Sequence, residues 1–258
     1  MGLLTHERYC DEIVRLTDEL RATLMGADLD ATVPTCPDWT LRELALHVGR
    51  AQRWAGEIVR TRAPEAVAPE KVPARAPEGD DPAALDAWLA DGAAGTAAAL
   101  REAGPQTEVW SWVREQRAGF WARRMAIETV VHLADAALAA KVPYTVAPEL
   151  AADTIDERLQ ILAFAQAQGD PRGAELRGAG RSLHLHATDV PDAEWLIELG
   201  EDGFTWRRAH GKATVALRGP LTDLMLVFNR RLAPDSDRVE VLGDAGLLDF
   251  WLARTAFG

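Results

Sequence analysis

Apolar residues in the first half of the chain recur at intervals of three and four positions, which is the spacing of amphipathic helices. One such stripe starts at Tyr9 and predicts a first helix that ends near Gly26. Thr40 and Glu43 have the spacing of a capping box, so a second helix is predicted to begin at Leu41. Each helix should bury its apolar face against another element.

Proline and glycine separate these predicted helices. The two prolines within 33–40 argue against regular structure there, and those at 64, 69, 73, 77 and 82 predict an extended loop over 63–82. A third, alanine-rich helix is predicted between the Asp81–Pro82 start and the Gly104–Pro105 end. A fourth helix is predicted over 120–140, while the state of 109–113 stays open.

The pattern changes after Pro171 to the alternation of half-buried strands. Strands are predicted over 181–189, 194–199, 204–209, 213–218 and 238–242, with helices over 148–168 and 221–231 and after Asp244. We therefore predict two domains, an all-helical domain of residues 1–170 and an α+β domain of residues 171–258.

Charge and composition narrow the function. The chain has 258 residues, a formal net charge of −12 and an isoelectric point near 5.0, so it would repel the phosphate backbone of nucleic acids. Its apolar runs are shorter than the roughly 20 residues of a membrane-spanning helix, and its N-terminus has no apolar signal-peptide stretch. We predict a cytoplasmic protein with neither a nucleic-acid nor a membrane partner.

Glu128 and His132 are the strongest candidates for chemistry. They lie four residues apart on one predicted helix, so both side chains project from the same face and can ligate one metal ion. His47, on the second helix, is a candidate third ligand, because helical bundles build metal sites from facing helices. Two histidines and one carboxylate suit Zn²⁺, and also Fe²⁺, Mn²⁺ or Ni²⁺.

An interpretation without a metal ion also accounts for these residues. Glu128 and His132 would then form an ordinary hydrogen-bonded pair within the helix, and His47 would fill a polar corner of the core. Asp135 lies one turn beyond His132, where it either fixes the imidazole by a hydrogen bond or stands exposed on the surface.

Two segments carry a resemblance to a known family. The sequence VPTCPDWTLRELALHVGR over 33–50, followed by Trp54, resembles the opening motif of the mycothiol-dependent maleylpyruvate isomerase family, a branch of the DinB-like metalloproteins. ETVVHLADA over 128–136 resembles the second motif of that family, and the region after 171 is similar to its C-terminal domain. The fold implied is a DinB-like four-helix bundle followed by a small α+β domain with a mainly antiparallel sheet.

The resemblance also implies chemistry. It places a divalent ion, most often zinc, on His47, Glu128 and His132, and it supplies mycothiol, a small thiol, as cosubstrate. The leading hypothesis is a metal-dependent enzyme that uses mycothiol on a small electrophile, as an S-transferase or as a cis–trans isomerase. The alternative is a non-catalytic protein that binds a metal or a thiol ligand and has a regulatory role.

The family also assigns importance to an arginine of the second domain. The sequence does not single one out, so the candidates are Arg207, Arg208, Arg218, Arg230 and Arg231.

Two other features have competing interpretations. His184 and His186 alternate with leucines, as a second metal pair or, as we favour, as a half-exposed strand face. Cys36 lies between two prolines near a helix start, and a packing role is favoured over a catalytic thiol.

Overall fold

A computed structural model describes residues 3–79, 81–170, 175–178 and 180–255. The chain divides into two compact units, with the division between Tyr144 and Thr145. The first unit is helical and the second combines helices with a sheet, as the sequence predicts. No helix in the described ranges has the length and apolarity that a membrane crossing requires.

The first unit contains four long helices. They are α1 (His6–Met25), α2 (Leu41–Arg60), α3 (Pro82–Ala103) and α4 (Ala118–Ala140). The predicted capping box at the start of α2 is present: Glu43 donates its backbone N–H to Thr40 Oγ1, and the Thr40 N–H returns a bond to the Glu43 carboxylate. Asp81 caps α3, and Gly104 ends it with a φ of 71°.

These four helices form the predicted bundle. α1 packs against α3 and α4, and α2 packs against the same two helices. α2 and α3 approach closely at Gly49, where an added Cβ atom would come within 2.2 Å of the Trp88 ring. The bundle thereby holds α2 and α4, which carry the candidate metal ligands, against each other.

The structure differs from the sequence analysis at 33–40, where it forms a short antiparallel hairpin of β1 (Thr32–Val33) and β2 (Cys36–Thr40). Such a short hairpin accommodates both prolines. Pro34 lies in the turn, and Pro37 lies in β2, where a strand of a two-stranded ladder has one edge without hydrogen bonds to a neighbour. This hairpin packs against α2 and α4.

In its described residues, the predicted loop is largely irregular apart from a single 3₁₀ turn at Pro69–Lys71, and Pro82 already belongs to α3. Two tryptophans of the bundle hold it in place. Trp54 Nε1 donates to the Val67 carbonyl oxygen at 2.7 Å, and Trp88 Nε1 donates to the Ala74 carbonyl oxygen at 2.6 Å. The loop is therefore anchored to α2 and α3.

The second unit has a five-stranded mixed sheet and, in its described part, three helices. The strands are β3 (Arg181–Ala187), β4 (Glu194–Leu199), β5 (Phe204–Arg207), β6 (Val215–Gly219) and β7 (Glu240–Gly243); the helices are α5 (Pro148–Ala167), α6 (Leu221–Phe228) and α7 (Ala245–Arg254). The strand order is β5-β4-β3-β6-β7, and only the central pair β3–β6 is parallel. The expected mainly antiparallel sheet is confirmed.

The domain limits differ from the predicted 1–170 and 171–258. Helix α5 packs against α6 and β5, so it belongs with the sheet rather than with the bundle. Trp195 in β4 strengthens this attachment, because its Nε1 donates to Asp156 of α5 at 2.7 Å. Pro171, at the predicted boundary, lies outside the described residues.

Candidate functional site

His47, Glu128 and His132 come together inside the bundle. His47 Nε2 and His132 Nε2 each lie 3.1 Å from the same carboxylate oxygen, Oε1 of Glu128. The two imidazole rings are 4.9 Å apart and nearly perpendicular. The His132 side chain is 10% exposed and that of His47 is 37% exposed, so the group is open to solvent on the His47 side.

Asp135 orients His132. Its Oδ2 lies 2.9 Å from His132 Nδ1, which leaves Nε2 directed at Glu128. Asp135 is fully buried, and Thr35 of the hairpin donates its hydroxyl to the other carboxylate oxygen. Of the two readings for Asp135, the structure therefore has the hydrogen-bonded one rather than the exposed one.

Glu128 is ionised although it is largely buried. Burial alone would raise its pKa, but the charge of Arg124 and hydrogen bonds from His132 and His47 hold the pKa of Glu128 well below its ordinary value. Arg124, one turn earlier on α4, donates to the second carboxylate oxygen. The negative charge needed to attract a cation is thus present at neutral pH.

His132 is protonated in the metal-free protein at neutral pH. Burial opposes its charge, but the carboxylates of Asp135 and Glu128 together raise the pKa of His132 to about 9. Because a metal-bound imidazole nitrogen carries no proton, any metal ion that binds His132 must displace this one.

The donor set fits a divalent metal ion. The three donor atoms lie within 4.8 Å of one another. Ligands placed about 2.0–2.2 Å from a tetrahedral ion are about 3.4 Å apart, close to the observed nitrogen–oxygen distances. Three protein ligands leave a position open in a four-coordinate site, which is the arrangement of catalytic rather than structural zinc.

A cavity of about 540 Å³ opens beside His47. Its apolar walls include Trp39, whose ring centroid is 4.8 Å from that of His47, and Trp54. Arg50 of α2 and Arg75 of the anchored loop also line it and provide positive charge. The volume is within the range typical of small-molecule sites.

Two protein-family models match the chain over most of its length. The model described as the mycothiol maleylpyruvate isomerase N-terminal domain matches residues 10–137, and that of the C-terminal domain matches residues 149–250. The chain belongs to the mycothiol maleylpyruvate isomerase family. The resemblance seen in the sequence motifs is thus confirmed, and the two matched regions correspond to the two structural units.

Solved structures support the same fold. A crystal structure of the mycothiol-dependent maleylpyruvate isomerase is 20% identical and covers 92% of this chain and 93% of that chain, with a TM-score of 0.62. A crystal structure of a histidine-to-alanine mutant of the mycothiol-dependent maleylpyruvate isomerase has the same identity and coverage and a TM-score of 0.60. A search of curated proteins found no match.

The second-domain arginines proposed from the family have varied surroundings. Arg207 pairs with Glu198, Arg218 pairs with Glu240 at 3.4 Å, and Arg208 makes a two-pronged contact with Asp156 of α5. Arg231 donates to the Asn229 carbonyl oxygen, and Arg230 is exposed with a left-handed φ of 64°. A catalytic role for any of them stays a prediction. Cys36 is partly buried in β2, and its packing role likewise stays a prediction.

The two strand histidines of this family member are not simply a half-exposed face. His184 is buried, and both His184 and His186 contact the carboxylate of Glu194, as does His210. Our sequence analysis overlooked Glu194 and His210. Glu194 had a detectable signal, because pairing the two predicted strands places it opposite His186 and on the same face of the sheet as His184. His210 follows β5 in an irregular segment, and no sequence pattern pointed to it.

The sequence analysis also overlooked the basic groups around the bundle site. Arg124 was detectable, because it precedes Glu128 by one helical turn. Arg50 was quoted in the family motif without a role, and Arg75 lies in the proline-rich loop, whose path no periodic pattern predicts.

Proposed function

We propose that this family member is a metal-dependent enzyme that uses mycothiol on a small, anionic electrophile. The observation that carries the proposal is the convergence of His47, Glu128 and His132 at the edge of a ligand-sized cavity. A divalent ion, most simply Zn²⁺, would be held by the two Nε2 atoms and by the Glu128 carboxylate. The ion would supply Lewis acidity, which stabilises a thiolate near neutral pH.

The residues around the ion have distinct tasks in this proposal. Asp135 holds His132 in the tautomer whose Nε2 is free to bind the metal. Arg124 keeps Glu128 ionised and in place. Trp39 and Trp54 exclude water from one side of the cavity, and Arg50 and Arg75 attract a carboxylate of the substrate.

The chemistry of the thiol defines two outcomes. In isomerisation, the thiolate sulfur bonds to one carbon of a cis double bond conjugated to a carbonyl, and the electron pair moves into that carbonyl. Rotation about the new single bond follows, and the pair returns to expel the thiolate and leave the trans alkene. In S-transfer, the carbon–sulfur bond is kept and the adjacent carbon takes a proton. We favour isomerisation, because the matched family models carry that name.

A turnover assay with defined thiols tests the proposal. The metal-loaded chain is incubated with maleylpyruvate and with mycothiol, with glutathione or with no thiol, and the products are separated by chromatography. We expect the trans isomer only with mycothiol, and no turnover by His47→Ala. His6→Ala is the matched control. His6 contacts the Leu100 carbonyl oxygen and belongs neither to the bundle site nor to the histidines around Glu194.

The same assay separates the enzyme from the non-catalytic alternative. Metal and mycothiol that bind at the site while no electrophile is converted would favour a binding or regulatory protein. An accumulated thioether product would instead assign S-transfer.

The source of positive charge for the substrate is tested separately. We propose that Arg50 and Arg75 contribute from the cavity wall and that one second-domain arginine contributes as in the family prediction. KM and bound metal are measured for single glutamate substitutions. These are made at Arg50 and Arg75 and at the five candidates Arg207, Arg208, Arg218, Arg230 and Arg231. A raised KM with unchanged metal content identifies a substrate contact. If all five second-domain variants retain full activity, that domain supplies no charge to the reaction.

A further inference from the structure

The sheet carries a second group of potential ligands. β3 and β4 are antiparallel, and His186 is paired directly with Glu194 across the ladder. His184 lies two residues earlier on β3, and so on the same face of the sheet. His210 reaches this face from the seven-residue connection between β5 and β6. Five of the six histidines of the chain thus belong to two groups.

The three imidazoles of this sheet group surround one oxygen atom. His184 Nε2, His186 Nδ1 and His210 Nδ1 lie 2.7, 3.0 and 2.7 Å from Glu194 Oε2. The ring planes are inclined to one another by 72–89°, and the ring centroids are 5.3–6.0 Å apart. Such steep angles bring three nitrogens to a common centre instead of stacking the rings.

Hydrogen bonding alone accounts poorly for this arrangement. A carboxylate oxygen has two lone-pair positions, yet three ring nitrogens address Oε2 of Glu194. The donor atoms of all four residues lie within 4.8 Å of one another. A cation between them would bind three nitrogens and one oxygen through separate lone pairs.

We propose that His184, His186, His210 and Glu194 form a second metal site, for a divalent transition-metal ion of the zinc class. Three imidazole nitrogens and one carboxylate oxygen complete a tetrahedral shell from protein groups alone. A closed shell of this kind is typical of structural sites. The ion would tie the β5–β6 connection, which includes Lys212, to the β3–β4 hairpin, and it would take no part in thiol chemistry.

Metal stoichiometry in the full-length protein tests this site independently of activity. The chain is stripped with chelator, reloaded with Zn²⁺, passed through a desalting column and measured by mass spectrometry of the metal. We expect two ions per wild-type chain. We expect one in the His47→Ala, His132→Ala double variant, and one in the His184→Ala, His186→Ala double variant.

Two further variants guard against misfolding. His210 is 76% exposed, so the His210→Ala variant should fold normally, and its affinity for the second ion should be at least tenfold lower than that of the wild type. His6→Ala, the matched control, should retain two ions. Co²⁺ in the His47→Ala, His132→Ala background should show visible bands of a low-coordinate ion, and these should disappear when His210→Ala is added.

Protease sensitivity provides a readout of the structural role. In the same background, added Zn²⁺ should slow tryptic cleavage after Lys212 at least fivefold, and His210→Ala should remove this protection. One ion per wild-type chain, lost with His47 and His132 but unaffected by His210→Ala, would overturn the proposal. So would Co²⁺ bands or protection that persist in the His210→Ala variant.

Discussion

The two histidine groups use the same residue types in different settings. In the bundle, His47, Glu128 and His132 lie on two helices. Hydrogen bonds orient two of them, between His132 and Asp135 and between Arg124 and Glu128. In the sheet, His184, His186 and Glu194 lie on two adjacent strands, and an exposed loop residue, His210, completes the set. The first group has three donors beside a cavity, whereas the second has four donors.

This difference separates reactivity from stabilisation. Three ligands leave an ion with an open position, and the cavity beside His47 gives a substrate access to it. Four protein ligands leave no such position. The bundle site also has an outer layer, with Asp135 fixing His132 and Thr35 fixing Asp135, as expected where ligand orientation matters for chemistry.

The largest expected effect is the loss of a ligand from the bundle group. His132→Ala should lower turnover with mycothiol by about 10³-fold, because a metal Lewis acid contributes several kcal/mol to the transition state. The fold should remain, since Glu128 keeps Arg124 and His47 as partners. Circular dichroism and a steady-state assay measure both, with His6→Ala as control. A loss of helicity together with the ion would make this the structural site and reverse the comparison.

The outer layer of the bundle group gives the next effect. Asp135→Asn should weaken metal binding by roughly 10–100-fold, because the neutral amide holds the His132 ring less firmly in the orientation that directs Nε2 to the metal. Competition with a chromophoric chelator measures the affinity. Thr35→Ser, which keeps the hydroxyl that donates to Asp135, is the control and should bind metal normally. Equal affinity in wild type and Asp135→Asn would show that the ligand pair needs no such support.

The metal-free bundle should also respond to pH. The pKa of His132 is raised from its ordinary 6.5 to about 9, so its stabilising contribution is complete below pH 6.5 and is lost as the pH rises through about 9. Chelator-treated protein should therefore unfold at lower urea concentration at pH 9 than at pH 6.5. His132→Gln should show a smaller decrease across this range. An identical decrease in both proteins would place the titrating group elsewhere.

The sequence predicted the bundle site better than the sheet site for a physical reason. Glu128 and His132 are one helical turn apart, so local spacing alone makes them neighbours. His47 required the pairing of two helices, which the family motif supplied. His210 approaches Glu194 only after two strands and a connection have folded, and no local pattern encodes that. The sequence likewise did not indicate that α5 packs with the sheet, because an apolar stripe predicts that a helix face is buried but not which element covers it.

The smallest expected effect concerns the sheet group without metal. The His210 side chain is 76% exposed, so the screened contact between His210 and Glu194 should contribute little to folding. His210→Ala should change the free energy of unfolding of the chelator-treated protein by less than about 0.5 kcal/mol. Urea denaturation measures this, with Lys212→Ala as a neighbouring exposed control.

With saturating Zn²⁺, the His210→Ala variant should be clearly less stable than wild type, because an ion that binds only the folded chain stabilises it. A loss of about 2 kcal/mol without metal would instead mean that the hydrogen bonds to Glu194 stabilise the sheet by themselves, and the contrast between an open, supported site and a closed, metal-dependent one would fail.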